Sequence, residues 1–359
     1  MLILRVKIYQ LINLLLTCRH AVRLHAFTLN TRAMQSPPQR INMKPRILQL
    51  NPILIPEINE QLASLYTVHK FFEIADGKAW LREHGASIAA VTTGGHSGIS
   101  RTMLEQLPNL KVVAVNGVGT DAVDLAYCRG RGLPVTATVG ALTEDVADLA
   151  IGLLIAACRN LCAGDRFVRD GQWERFPQPS AIPLARRFSG MRVGIVGMGR
   201  VGRAVALRAA AFNCPISYTD LRVMDDVAHR FVPNLVDLAR ASDALVLCAA
   251  ADKAEGIVNA AVLDALGPRG FLVNVARGRL VNEADLTEAL TAGRIAGAGL
   301  DVFVDEPRVP LALRQSGSAV LQAHRASATW ETRTAMGEMV LASIAQALAG
   351  KRPAMSLTT

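Results

Sequence analysis

From Met43 onward the apolar residues fall into short unbroken runs separated by segments of helical spacing. The run Ala244–Ala249 shows no polar alternation, which marks a strand covered on both faces, as in a parallel sheet. Arg46–Asn51, Ser87–Thr93, Leu110–Val115, Gly270–Val275 and Ile295–Val302 also read as strands. Helical stretches lie between them. One surrounds Pro56–Leu65 and a short one covers Arg101–Leu107. A long apolar one covers 143–163, with Thr143 as its N-cap and acids in its first turn, and a closing one runs over 331–349 and stops at Gly350. Residues 175–188 are proline-rich and irregular. Strands alternating with helices on both sides of the chain's midpoint predict an α/β protein with parallel sheets.

The sharpest pattern lies within 191–220. A short strand leads into Gly197-x-Gly199-x-x-Gly202, an Ala-rich helix follows, and a second strand ends in Asp220, 18 positions beyond Gly202. The first glycine permits a tight turn, the second lets the backbone approach a pyrophosphate, and the third lets the helix pack close on the strand. The helix N-terminus, with Arg200 and Val201 in the turn, faces the phosphate charge. This predicts a Rossmann dinucleotide site. Asp220 suits a ribose hydroxyl and repels a 2′-phosphate, favouring NAD, whereas Arg222 suits that phosphate and favours NADP. The cofactor is therefore written NAD(P).

The chain has 359 residues, enough for about two domains. Its formal charge of +9 is unevenly spread: residues 1–42 hold six of the 39 basic residues and none of the 30 acids. The rest is nearly balanced and has no basic run interleaved with aromatics, so no nucleic-acid partner is expected. The apolar stretch Leu2–Thr17 is interrupted by Lys7 and Asn13, too short and broken for a membrane span. Residues 1–42 resemble an Arg-rich transit segment, or translation begins at Met43; they are set outside the fold as an extension. The six cysteines form no C-x-x-C pair, as in a reducing, cytoplasmic protein. Cys158 and Cys162 fall four apart on the predicted helix, but no His or Asp cluster accompanies them, so they read as core residues and no metal is expected.

Exchanging a hydride with a carbonyl requires a proton donor and a cation to polarise the oxygen. Three candidates follow the fingerprint: two stand just past strand ends, where open α/β sheets place such groups, and the third is a histidine in a polar loop. Arg277 follows Phe271–Val275 and can hold a carboxylate. Glu306 follows Leu300-Asp301-Val-Phe-Val-Asp-Glu306-Pro. His324 stands in Gln322-Ala-His324-Arg-Ala-Ser-Ala-Thr329. A carboxylate beside an imidazole orients the ring and favours its charged form.

The ordered motifs VNVARG, GLDVF-x-DEP and H-x-A-S-A-T followed by ETR-x-AM resemble those of the D-isomer-specific 2-hydroxyacid dehydrogenases. Gly117-Val-Gly-Thr-Asp121 and Leu142-Thr-Glu-Asp-Val-Ala-Asp-Leu-Ala150 agree, so the resemblance runs from about Met43 to Pro353. The subgroup it approaches is that of the glyoxylate/hydroxypyruvate and hydroxyphenylpyruvate reductases. The resemblance implies two Rossmann-like domains: a nucleotide domain at 142–326 inserted into a substrate domain of 43–141 and 327–359. It implies that Arg277 binds the substrate carboxylate and carbonyl, that His324 is the general acid, and that Glu306 tunes it. Asp301 would contact the nicotinamide amide, Thr143 would reach the cofactor, and amides of Gly94 and Gly95 would cradle the substrate carboxylate. It also implies a homodimer, with helix 143–163 as interface or else as core. Glu306 argues against a formate dehydrogenase, which has glutamine there, and no regulatory tail is expected after the closing helix. Two departures stand out: Ala323 replaces the proline usual before the histidine, and Arg325 puts a charge beside it. Ala249-Ala-Ala-Asp252 departs on the adenine side. The expected activity is reduction of a small 2-oxo acid, glyoxylate or hydroxypyruvate first, with an aromatic 2-oxo acid as the alternative. From another class, the C-terminal-binding-protein corepressors resemble these enzymes and would bind NAD without turnover.

Overall fold

The computed structural model describes residues 44–178, 182–250 and 254–358; the 1–42 extension and Asp252 lie outside them. Strands β1 (Arg46–Gln49), β2 (Thr67–Lys70), β3 (Ile88–Gly94), β4 (Val112–Asn116) and β5 (Val135–Ala137) form one sheet in the order β2-β1-β3-β4-β5. Strands β6 (Val193–Val196), β7 (Ile216–Thr219), β8 (Arg230–Phe231), β9 (Ala244–Leu247), β10 (Phe271–Asn274), β11 (Gly297–Leu300) and β12 (Ala319–Leu321) form the other, ordered β12-β11-β10-β9-β6-β7-β8. Every pairing between these strands is parallel. The α/β expectation with two parallel sheets therefore holds. In both sheets the order reverses beside the first strand, β1 or β6, and such a switch point opens a crevice at the carboxyl ends.

The apolar runs overshoot the strands. Val275 and Val302 are buried but lie past the last ladder residues, Asn274 and Leu300. The short edge strands β2, β8 and β12 carry no such run, because none of their residues is fully buried. Helix Thr143–Cys158 buries eight residues against the second sheet and helix Arg200–Ala211. It comes very close to β11: a Cβ added at Gly299 would lie 2.8 Å from Leu153 Cβ. The small-residue strand Gly-Ala-Gly-Leu is what admits it.

Three expectations about this helix need correction. It does not run to 163, because Asn160 adopts a left-handed φ of 55° and the chain bends by 63° into helix Leu161–Arg169. Asparagine tolerates that conformation better than other side chains. Cys158 is buried, but the bend turns Cys162 out to solvent. Thr143 is the first helical residue, not the cap; Leu142 holds the cap position without a side-chain bond. Among the described residues no single helix is long and apolar enough to cross a membrane.

The C-terminal helix Trp330–Leu348 returns to the first sheet, packing on β3, β4, β5 and helix Pro56–Leu65. Gly337 makes room, since a Cβ there would lie 2.6 Å from Ile58 Cγ1. The second sheet is thus inserted, in sequence, between parts of the first unit. Beyond that helix the tail lies along β5: Ser356 bridges Thr136 antiparallel, Thr358 Oγ1 donates to Leu133 O at 2.7 Å, and Val135 N–H donates to Thr358 Oγ1 at 2.9 Å.

Candidate active site

A cleft of about 810 Å³ opens at the carboxyl ends of both sheets. Gly94, Gly95, His96 and Asp121 line it from the first sheet's loops; Arg277, Asp301, Glu306 and His324 line it from the second's. His324 and Glu306 form a pair, with Nδ1 and Oε2 2.7 Å apart. The other carboxylate oxygen of Glu306 accepts the Phe303 N–H at 2.9 Å. Burial alone would raise the Glu306 carboxyl, but the bonds from His324 and Phe303 hold it below its ordinary range. Glu306 is therefore ionised at neutral pH, and it fixes the ring through Nδ1. His324 Nε2 makes no hydrogen bond among the described residues.

The histidine stands at a left-handed φ of 54°. Asp301, 1% exposed at the end of β11, holds that loop from below. Its carbonyl accepts the His324 N–H at 2.8 Å, and its carboxylate accepts Arg325 N–H at 2.7 Å and Ala326 N–H at 3.0 Å. Burial pushes the Asp301 carboxyl up, against these two amides. The loop that lacks a proline at Ala323 is thus tied by Asp301, while Arg325 itself is exposed.

Arg277 follows β10 and reaches across the cleft. Its Nε donates to Asp121 Oδ2 at 3.1 Å and its Nη1 to Ala276 O at 2.7 Å. Arg279 Nη2 donates to the other Asp121 oxygen at 2.6 Å. Burial opposes the Asp121 charge, but the two arginines win and hold its carboxyl below the usual range. Arg277 Nη2 remains uncommitted beside Gly119, where an added Cβ would collide with it. Gly94 spends its N–H on Asn51 Oδ1 at 2.9 Å, so of the two cradle glycines only Gly95 has an amide to offer.

The glycine turn after β6 fits a dinucleotide. Gly197 has φ +92°, and a Cβ there would lie 2.5 Å from Ala249 Cα, across the switch point. A Cβ on Gly199 would meet nothing, which leaves open space above the turn; one on Gly202 would collide with Gly197 O. Asp220 Oδ2 accepts the Met198 N–H and Oδ1 the Leu221 N–H, both at 2.7 Å, which pins the carboxylate at the mouth of the turn. Arg200 starts the helix, Val201 lines the cleft, and Arg222 is exposed with no ion pair among the described residues. Thr143 does not line the cleft; its neighbours Leu142 and Val146 do. Burial pushes the Cys248 thiol up to about 12, so this wall stays neutral.

Sequence reasoning singled out neither His96 nor the Asp121–Arg279 pair. The one signal for Asp121 was its place after the glycine-rich end of a strand.

Comparison with known proteins gives the family. The model of the D-isomer specific 2-hydroxyacid dehydrogenase NAD binding domain matches residues 151–326. Glyoxylate/hydroxypyruvate reductase A HPR2 of Arabidopsis thaliana is 42% identical over 295 residues, covering 82% of this chain and 93% of its own length. The 2-ketogluconate reductase of Gluconobacter oxydans is 41% identical over 303 residues, covering 84% and 94%. The solved 2-hydroxyacid dehydrogenase of Ketogulonicigenium vulgare superposes with a TM-score of 0.81 at 40% identity, covering 88% of this chain and 98% of that one. The chain therefore belongs to the D-isomer-specific 2-hydroxyacid dehydrogenases, NAD(P)-dependent oxidoreductases acting on CH–OH donors.

Proposed function

We propose that the protein reduces a small 2-oxo acid, glyoxylate or hydroxypyruvate first, to the D-2-hydroxy acid. The observation that carries this reading is one cleft holding an arginine with a free Nη2 and a His–Glu pair, with Val201 of a dinucleotide-type glycine turn in its wall. A reduced dinucleotide, when bound, would supply hydride chemistry for the carbonyl carbon. Gly197, Gly199, Arg200, Val201 and Gly202 would hold its pyrophosphate and Asp220 its ribose. Arg277 binds the substrate carboxylate and polarises the carbonyl, with the Gly95 amide as a second donor. His324 gives its proton to the carbonyl oxygen, and Glu306 stabilises the charged ring before that transfer. Asp301 positions the His324 loop.

Residues 43–141 and 327–359 serve in this reading as the substrate domain and 142–326 as the nucleotide domain, whose closure excludes water. A cytoplasmic homodimer is the matching assembly. Exposed Leu161, Val168 and Leu184, which line one groove beyond the helix bend, supply an apolar face for it.

Initial rates on a panel of 2-oxo acids, each with NADH and NADPH, test the reading. Glyoxylate or hydroxypyruvate should give the highest kcat/KM. A lead for an aromatic or sugar-derived 2-oxo acid would replace the substrate, and dinucleotide binding without any turnover would favour the corepressor class.

A further inference from the structure

We propose that His96, Glu306 and His324 form an inhibitory site for a divalent transition ion of the zinc class. One nitrogen from each ring and one carboxylate oxygen lie within 4.8 Å of one another. His324 Nδ1 is 2.7 Å from Glu306 Oε2, and His96 Nδ1 approaches the same oxygen at 4.0 Å. Ligands around tetrahedral zinc, each ~2.0–2.2 Å from the ion, stand roughly 3.3 Å apart. The first gap must widen and the second narrow, each by less than about 1 Å.

His96 is free to make its share of that movement. Its side chain is 68% exposed and makes no hydrogen bond among the described residues. Two imidazoles and one carboxylate suit zinc or a similar ion, whereas Mg²⁺ and Ca²⁺ prefer all-oxygen sets. The Phe303 N–H on the other Glu306 oxygen orients the carboxylate, as outer-shell partners of metal ligands do. The nearby cations leave room for a further charge: Arg277 and Arg279 share Asp121, and Arg325 is exposed. His96, Glu306 and His324 all line the cleft, so water or a substrate carboxylate there would complete the tetrahedron.

The ion takes the place of the proton that His324 and Glu306 share. With the ion on Nδ1 in place of that proton, the remaining Nε2–H belongs to a coordinated imidazole, a far weaker acid than imidazolium, so turnover is suppressed until the ion leaves. Binding stands on the donor set alone, while the inhibition rests on the proposed role of His324.

The test uses the full chain freed of metal with a chelator. Zn²⁺ should inhibit reversibly and compete with the 2-oxo acid, Mg²⁺ should have no effect, and EDTA should restore the rate. His96→Ala should weaken the inhibition on the order of tenfold or more. Co²⁺ reads the site without turnover: wild type should show visible ligand-field bands, and His96→Ala should lose them. Equal zinc inhibition of wild type and His96→Ala would overturn the proposal, as would inhibition abolished by Cys162→Ser, since Cys162 is an exposed thiol. His96→Asn serves if the alanine variant fails to fold. A metal-free enzyme that reduces no 2-oxo acid would sink the proposed function, while the Co²⁺ bands would still report on the metal site.

Discussion

The two sheets share one architecture, yet their strand ends bring different material to the cleft. The second sheet ends in charged groups, Arg277, Asp301 and Glu306, with His324 just beyond β12. The first sheet ends in small residues and loops: Gly94 at the end of β3 with Gly95 after it, and Gly117 and Gly119 after β4. After β1 comes Asn51-Pro52 where β6 is followed by Gly197-Met-Gly199, so only one of the two switch points can seat a pyrophosphate. A shared fold therefore does not imply shared duties. One half supplies reactive charge, and the other supplies room, amides and the counter-charge of Asp121.

This contrast can be broken most directly at His324. His324→Gln should lower kcat by roughly 10²–10⁴-fold while dinucleotide affinity, followed by fluorescence titration, stays near wild type. An active variant would move the proton donor elsewhere. Arg277→Ala should cost about 10²–10³-fold in kcat/KM, again with cofactor binding retained. A probe of the first sheet should give a milder result of another kind. In Gly119→Ala the new Cβ displaces the flexible guanidinium of Arg277, so KM should rise by about tenfold, roughly 1.4 kcal/mol, with a smaller change in kcat. If kcat falls as far as in His324→Gln, the division between the halves is wrong.

A last effect, on stability and not on turnover, lies within the second half. Asp243, at the entry to β9, bonds Arg192 and Arg186; the hydrogen bond from Arg192 outweighs burial and lowers its carboxyl from 3.8 to about 2. A depressed carboxyl stabilises the fold above its unfolded pKa and loses that contribution as pH falls through its folded value. Asp243→Asn should thus lose about 2 kcal/mol at neutral pH. Chemical denaturation should show the gap between wild type and variant closing as pH falls from about 4 toward about 2. A gap independent of pH would mean that the ion pair is not its source.

The same contrast explains what could be read from the chain. Arg277 and Glu306 stand just past apolar runs, so a charged residue at a strand end was visible as such, whereas His324 in its polar loop was legible only through the order of its motifs; the structure gathers the three in one cleft. The glycine turn was legible because its spacing is local. Asp121 was not: it meets Arg277 across 156 positions of sequence, and only the packing of two sheets puts them together. His96 was hidden for the same reason, a lone histidine in a polar loop until Glu306 comes within 4.0 Å of it. The break at Asn160 was missed because an apolar run carries no mark of where its backbone turns left-handed.

The tail beside β5 has a practical consequence. Parallel β5 ends its sheet, and an uncovered strand edge invites pairing with another chain. Ser356 and Thr358 occupy that edge with one antiparallel bridge and two hydroxyl hydrogen bonds, and so act as a built-in guard against aggregation. An affinity tag or truncation there would disturb the guard, whereas the reacting groups lie elsewhere. Losses of yield from such changes would reflect sticky edges and not damaged catalysis.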